Sequence, residues 1–247
     1  MSQENKSYIP GKTGYSSRNV AFRVAEAYKM IRTNLLFTLA NANSKIVVFS
    51  SAEPSAGKST LCSNLAIVMA QTGAKVLLID ADMRKPVLHR NFRVSKTLGL
   101  SKILGNLNKV DECVHHNVAP NLDLIPSGSI PPNPSELLGT DRMKQLLAQA
   151  EEQYDYIFVD SPPLGVVADA LVVAPQSAGV VLGARQKQTT YDELEECVEA
   201  IKQINATMLG VVVTDVHSET SGYMRYDNKR YYRSYNYEYG RRQKNDD

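Results

Sequence analysis

The stretch that most limits what this chain can become is KIVVFSSAEPSAGKST, Lys45 to Thr60. An apolar, β-branched run (Ile46, Val47, Val48, Phe49) passes through a loop of small and polar residues into Gly57, Lys58, Ser59 and Thr60, and helix-forming LCSNLAIVMAQ follows. Strand, loop, GK[ST] and helix in that order make a cradle for phosphate. The N–H groups of the loop and of the helix start lack partners of their own, and the helix dipole favours an anion there. On this reading Ser55, Ala56, Gly57, Lys58, Ser59 and Thr60 hold a triphosphate. Lys58 reaches its β and γ phosphates, and Ser59 offers a hydroxyl to Mg²⁺. Ala52 stands where the first glycine of G-x-x-x-x-G-K-[ST] is usual, so the pattern is met in a relaxed form. A surface turn that contains GKS by chance is the alternative; the strand before it and the helix after it argue against that.

A chain of 247 residues, 43% of them hydrophobic, suffices for one sizeable α/β domain with a core, and no second folded domain is expected. The net charge of +2 argues for neither nucleic acid nor acidic surfaces as partners. Cys62, Cys113 and Cys197 are widely spaced and odd in number, which predicts reduced, half-buried thiols in a cytoplasmic protein. The polar first residues lack an apolar core, and no run approaches the roughly 18 apolar residues of a membrane span. The expectation is a soluble chain that meets a membrane only through a partner.

Met1 to Asn19 reads as a polar arm. From Val20 to about Ala40 apolar residues (Phe22, Val24, Ala25, Tyr28, Ile31, Leu35, Leu36, Leu39) recur at three- and four-residue steps and predict an amphipathic helix. Glu26, Lys29 and Arg32 fall along one flank of it, where an ordinary solvated face would also place them. After the phosphate-loop helix, Lys58 to Gln71, Gly73 makes a stop, and Lys75 to Ile79 begins a second buried strand that runs into Asp80, Ala81, Asp82, Met83 and Arg84. Unbroken apolar runs suit strands covered on both faces, and acids at their C-terminal ends sit where such sheets bind ligands. Asp80 and Asp82 would share a side if the strand geometry persists, which suggests metal handling or proton abstraction; an N-cap or turn pair is the alternative.

The middle of the chain is less regular. A short helix is expected over Leu98 to Leu104, a strand over Asn121 to Pro126, a turn-rich loop over Ser127 to Pro134 and a helix over Asp141 to Glu152. His89, His115 and His116 read as surface histidines, having no acid or cysteine at ligand spacing. Next, YIFVDSPP places Asp160 at the end of an apolar run, as nucleotide folds do to hold Mg²⁺, often through water. Strands are expected at Gly179 to Ala184 and Met208 to Thr214, around a helix from Tyr191 to about Asn205. The alternation predicts an α/β fold, a mostly parallel central sheet with helices on both faces.

The C-terminal stretch concentrates Tyr223, Tyr226, Tyr231, Tyr232, Tyr235, Tyr237 and Tyr239, seven of the thirteen tyrosines, among basic residues and without a steady period. That pattern predicts a flexible tail. It suits either stacking on nucleic-acid bases or service as a set of phosphate acceptors.

Together these residues resemble a family, the bacterial tyrosine kinases (BY-kinases) of capsular and exopolysaccharide export, built on the MinD/ParA-like P-loop NTPase fold. SAEPSAGKST resembles its Walker A motif, LLIDADMRKP its Walker A′, YIFVDSPP its Walker B, and the tyrosine cluster its tail. The resemblance implies a non-specific protein-tyrosine autokinase that uses ATP and Mg²⁺, with an arm at 1–19, a kinase domain at 20–216 that opens with an interaction helix at 20–40, and a tail at 217–247. It implies that Lys58 neutralises the β and γ phosphates, that Ser59 and, through water, Asp82 and Asp160 hold Mg²⁺, and that Asp80 or Asp82 is the base for the incoming tyrosine. The seven tail tyrosines become the phosphoacceptors. Glu26-x-x-Lys29-x-x-Arg32 resembles the family's ring-forming E-x-x-R-x-x-R motif, with a lysine that cannot fork onto a carboxylate as arginine does. Implied partners are further copies of the chain in a ring, a separate transmembrane modulator that holds it at the inner face of the membrane, protein-tyrosine substrates and a phosphotyrosine phosphatase, with no nucleic acid. Partition and cell-division ATPases usually carry a signature lysine where Glu53 stands here, and relatives place an asparagine near the adenine where Thr214-Asp215 stands. A MinD/ParA-like ATPase switch without kinase activity is the alternative.

Overall fold

A computed structural model describes residues 17–216, with side chains from Arg23 onward. Most of the arm and all seven tail tyrosines lie outside the described residues.

The chain opens on α1 (Ser17–Leu39), then alternates: β1 (Ile46–Ser51), α2 (Lys58–Ala70), β2 (Val76–Asp80), the short helices α3 (Leu88–Asn91), α4 (Leu100–Leu104) and α5 (Val110–Cys113), β3 (His115–Ala119) and β4 (Leu122–Ile125). It continues through α6 (Pro134–Leu138), α7 (Asp141–Gln153), β5 (Tyr156–Asp160), α8 (Asp169–Val173), β6 (Gly179–Arg185), α9 (Tyr191–Gln203) and β7 (Met208–Thr214). The seven strands form one sheet in the order β3-β4-β2-β5-β1-β6-β7, parallel throughout except for the β3–β4 pair. The expected α/β architecture is therefore present.

The strands look uniformly apolar because both of their faces are covered. Val47, Phe49, Val76, Leu78 and Phe158 turn to the side where α1 and α2 pack, and the Phe49 and Phe158 rings meet at 5.0 Å between centroids. Ile46, Val48, Leu77, Ile79, Ile157 and Val159 turn to the other side, against α4, α7, α8 and α9. Alternation in space thus hides inside a sequence that does not alternate.

Several expectations need correction. The first helix begins at Ser17, inside the stretch read as an arm, and stops at Leu39. The three cysteines are free but buried, not half-buried; burial pushes all three thiols up, Cys62 furthest, which makes them inert packing residues. His89 is half-buried, with Nδ1 unpartnered. His115 and His116 lie in β3, an edge strand that HHNVA does not announce; their rings meet the Ser95 carbonyl at 3.0 Å and Asp123 at 2.8 Å. Among the described residues no helix is long and apolar enough to cross a membrane.

Candidate nucleotide site

β1, β2 and β5 are neighbours, and all three end at one edge of the sheet, so the residues that close them converge. β1 delivers the loop 52–57, β2 delivers Asp80 and the turn bearing Asp82, and β5 delivers Asp160, the register partner of Asp80. The loop folds back through two residues in the left-handed region, Ser55 at φ 66° and Gly57 at φ 85°. Such turns aim successive N–H groups into one concavity, which the N-terminus of α2 completes. Only glycine fits easily at 57: besides its backbone, a Cβ there would come within 3.3 Å of Thr214 Oγ1. That hydroxyl donates to the Ala56 carbonyl at 2.6 Å, so the last residue of β7 props the loop from beneath. Thr214, marked in sequence as a departure near a base site, thus serves the loop itself.

Lys58 opens α2 and points into the crevice, with Nζ 2.9 Å from Asp82 Oδ2, 3.4 Å from Asp160 Oδ1 and 3.1 Å from Ser59 Oγ. The strand geometry does not persist to Asp82 as the two-residue spacing assumed. β2 ends at Asp80, and a turn closed by the Met83 N–H on the Ala81 carbonyl carries Asp82 to Lys58. Asp80 accepts from the Leu88 N–H through Oδ2 at 3.2 Å, while its Oδ1, like Asp160 Oδ2, is buried without a hydrogen-bond partner. Burial, and then the charge of Asp160, hold the Asp80 carboxyl well above the usual range. Burial also raises Asp160, against the pull of Lys58. At Lys58 burial works downward, yet Asp160, Asp82 and Asp80 together outweigh it and the ammonium is held up.

Two buried carboxylate oxygens without donors are what a cation site leaves behind. Among the described residues no three acids, histidines or cysteines form a ready cage for a metal. The two unpartnered oxygens fit Mg²⁺, which takes one or two carboxylates and fills its shell with phosphate oxygens and water.

Glu53, at the signature-lysine position, turns to its own chain, accepting from Thr189 Oγ1 at 2.7 Å and Gln188 Nε2 at 3.3 Å. On α1, Lys29 pairs with Glu26 at 2.7 Å, whereas Arg32 turns away and donates to the Val68 carbonyl of α2 at 2.8 Å. Sequence reasoning missed Asp169 and Ser135, which meet Arg84 beside the crevice; the only trace was the arginine inside LLIDADMRKP.

A glycine-bent loop running from a central strand into a lysine-headed helix, with acids gathered from two neighbouring strands, defines a P-loop nucleotide-binding protein, and residues 44–211 match the family model described as an AAA domain. The tyrosine-protein kinase YwqD of Bacillus subtilis is 38% identical over 208 residues, 83% of this chain and 88% of its own. Tyrosine-protein kinase wzc of Salmonella typhimurium is 36% identical over 214 residues, 87% of this chain but 29% of that one, so the chain spans under a third of that relative. In structure it resembles the kinase domain of the Escherichia coli tyrosine kinase ETK, with a TM-score of 0.74 and 36% identity over 80% of this chain and 79% of the other. A putative plasmid partition protein of Borrelia burgdorferi, at 24% identity and a TM-score of 0.61, shares the fold. The chain belongs to the bacterial tyrosine-protein kinases built on this domain.

Proposed function

We propose that this chain transfers the γ-phosphoryl group of ATP to tyrosine hydroxyls, first those of its own C-terminal cluster, from Tyr223 to Tyr239, in trans between copies of the chain. The observation that carries the reading is the gathering of Lys58, Asp80, Asp82 and Asp160 at the mouth of one phosphate cradle. Phosphoryl transfer asks a protein for charge neutralisation and an in-line nucleophile more than for covalent chemistry. Residues 55–60 hold the phosphates with backbone N–H groups, and Lys58 neutralises the β and γ oxygens. Ser59, Asp82 and Asp160 would hold Mg²⁺, which when bound would supply further charge neutralisation there. Asp80 takes the tyrosine proton: both Asp82 oxygens are engaged, by Lys58 and by the Lys85 N–H, while Asp80 keeps an oxygen without a donor. A tyrosine with a pKa near 10 needs such an acceptor during transfer.

The reading extends to assembly and place. Glu26, Lys29 and Arg32 lie on the helix through which copies associate in a ring, and a separate transmembrane modulator holds the kinase at the inner face of the membrane. There the modification state of the tail, set against a phosphotyrosine phosphatase, regulates capsular and exopolysaccharide synthesis and export. Names among the relatives, including a putative tyrosine-protein kinase in the cps region of Klebsiella pneumoniae, support that setting.

Intact mass after incubation with Mg-ATP, beside Lys58→Met, tests the core of the proposal. Stepwise phosphate additions in the parent alone are expected. ATP hydrolysis with no phosphotyrosine would identify an ATPase switch instead.

A further inference from the structure

The turn after β2 is held from two sides. On one, Asp82 engages Lys58 Nζ through Oδ2 at 2.9 Å and the Lys85 N–H through Oδ1 at 2.9 Å. On the other, the guanidinium of Arg84 lies along Asp169, Nε to Oδ2 at 3.0 Å and Nη2 to Oδ1 at 3.0 Å. Asp169 is wholly buried. The Ser135 hydroxyl donates to its Oδ1 and accepts from Arg84 Nη2 at 3.1 Å. A fork-on-fork pair fixes direction as well as distance, and a buried carboxylate tolerates no loss of its partners.

The segment leading to Asp169 is itself fastened to the phosphate loop. The Leu164 N–H donates to the Ser51 carbonyl at 2.7 Å. Gly165 lies so close to the loop's first residue that a Cβ on it would come within 2.2 Å of the Ala52 oxygen. The contacts close a circuit: Ser51 and Ala52, the strap at Leu164 and Gly165, Asp169, Arg84, Asp82, Lys58, and back to the loop. Every member is a short chain step or a direct contact.

We propose that Asp169 and Ser135 are positioning residues which, through Arg84, hold the Asp82 turn against Lys58 and so set the geometry of the phosphate and Mg²⁺ site. The proposal rests on the reading of that site as a Mg-ATP site and goes beyond it by naming what keeps Asp82 in register.

The test uses the full chain and the variants Arg84→Gln, Arg84→Lys, Asp169→Asn and Ser135→Ala. One measurement is kcat and KM for ATP in transfer to a tyrosine peptide; the other is binding of a fluorescent ATP analogue titrated with Mg²⁺. For Arg84→Gln and Asp169→Asn, kcat is expected to fall and the Mg²⁺ half-point to rise by roughly 10- to 100-fold, the usual scale for partners that orient metal-binding groups, with KM for ATP little changed. Arg84→Lys, which keeps the charge and loses the fork, should fall between those and the parent, and Ser135→Ala should move both readouts less, in the same direction. A lowered melting temperature with an unshifted Mg²⁺ half-point would show a merely structural pair and overturn the proposal. So would parent-like values in both Arg84 variants. If Asp169→Asn does not fold, Arg84→Lys and Ser135→Ala decide the matter, since each leaves Asp169 a partner. A parent that transfers no phosphate would refute the kinase reading alone, and the Mg²⁺ titration would still judge the positioning role.

Discussion

Asp80 is a residue on which burial and neighbouring charge act together. Its carboxyl is buried beside another acid and keeps an oxygen without a donor, so ionisation is disfavoured. A carboxyl raised in the folded state contributes stability that is full below its unfolded pKa, near 3.9, and is lost as pH rises through the raised value. Asp80→Asn is therefore expected to melt higher than the parent at neutral pH without nucleotide, and the gap should close on acidification. Each 1 kcal/mol of relief would move the midpoint by about 2–4 °C in a chain of this size. The same variant should lose phosphate transfer, the common trade between stability and activity at a charged site. Thermal melts from pH 4 to 8, paired with intact mass after Mg-ATP, check both halves.

At the scale of elements, the phosphate loop depends on a strand far from it in sequence. Thr214→Val removes the donor to the Ala56 carbonyl, a loss of about 1 kcal/mol in a typical hydrogen bond, and should weaken nucleotide binding several-fold. Gly57→Ala forces a side chain into the left-handed region, at about 1–2 kcal/mol, and against Thr214; titration calorimetry with ATP should show about a tenfold loss or more. The crevice was legible because Asp80 and Asp160 each end an apolar run and because Gly57 and Lys58 stand between a strand-like run and a helix-forming one, and the strand at Met208 to Thr214 was legible for its own apolar run. Three things were not. β3 carries two histidines and an asparagine at a sheet edge, so no periodicity marks it. α3, α5, α6 and α8 form from four- or five-residue stretches too brief to show a period, whereas α4 lies inside the short helix expected over Leu98 to Leu104. The Arg84–Asp169 fork joins residues 85 positions apart, which no local pattern reports.

At the scale of the molecule, the described residues form one sheet, and its two ends carry different liabilities. At the β3–β4 end Asp123 accepts from the Asn117 N–H, His116 and the Tyr154 hydroxyl, which together outweigh its burial and lower its carboxyl. A lowered acid contributes stability present above the unfolded value, near 3.9, and lost as pH falls through the folded one. Asp123→Asn should flatten the acid limb of a denaturation curve while leaving neutral-pH phosphate transfer intact. At the other end, among the described residues, no strand pairs with the outer side of β7, and Val211 and Val213 are exposed, a template for unwanted pairing. Val213→Lys should leave stability within about 0.5 kcal/mol and reduce light scattering on refolding. That same strand closes on Thr214, the prop beneath the cradle. Strain on the outermost parallel strand therefore passes through one hydroxyl to the bend at Ala56 and Gly57, far from it in sequence.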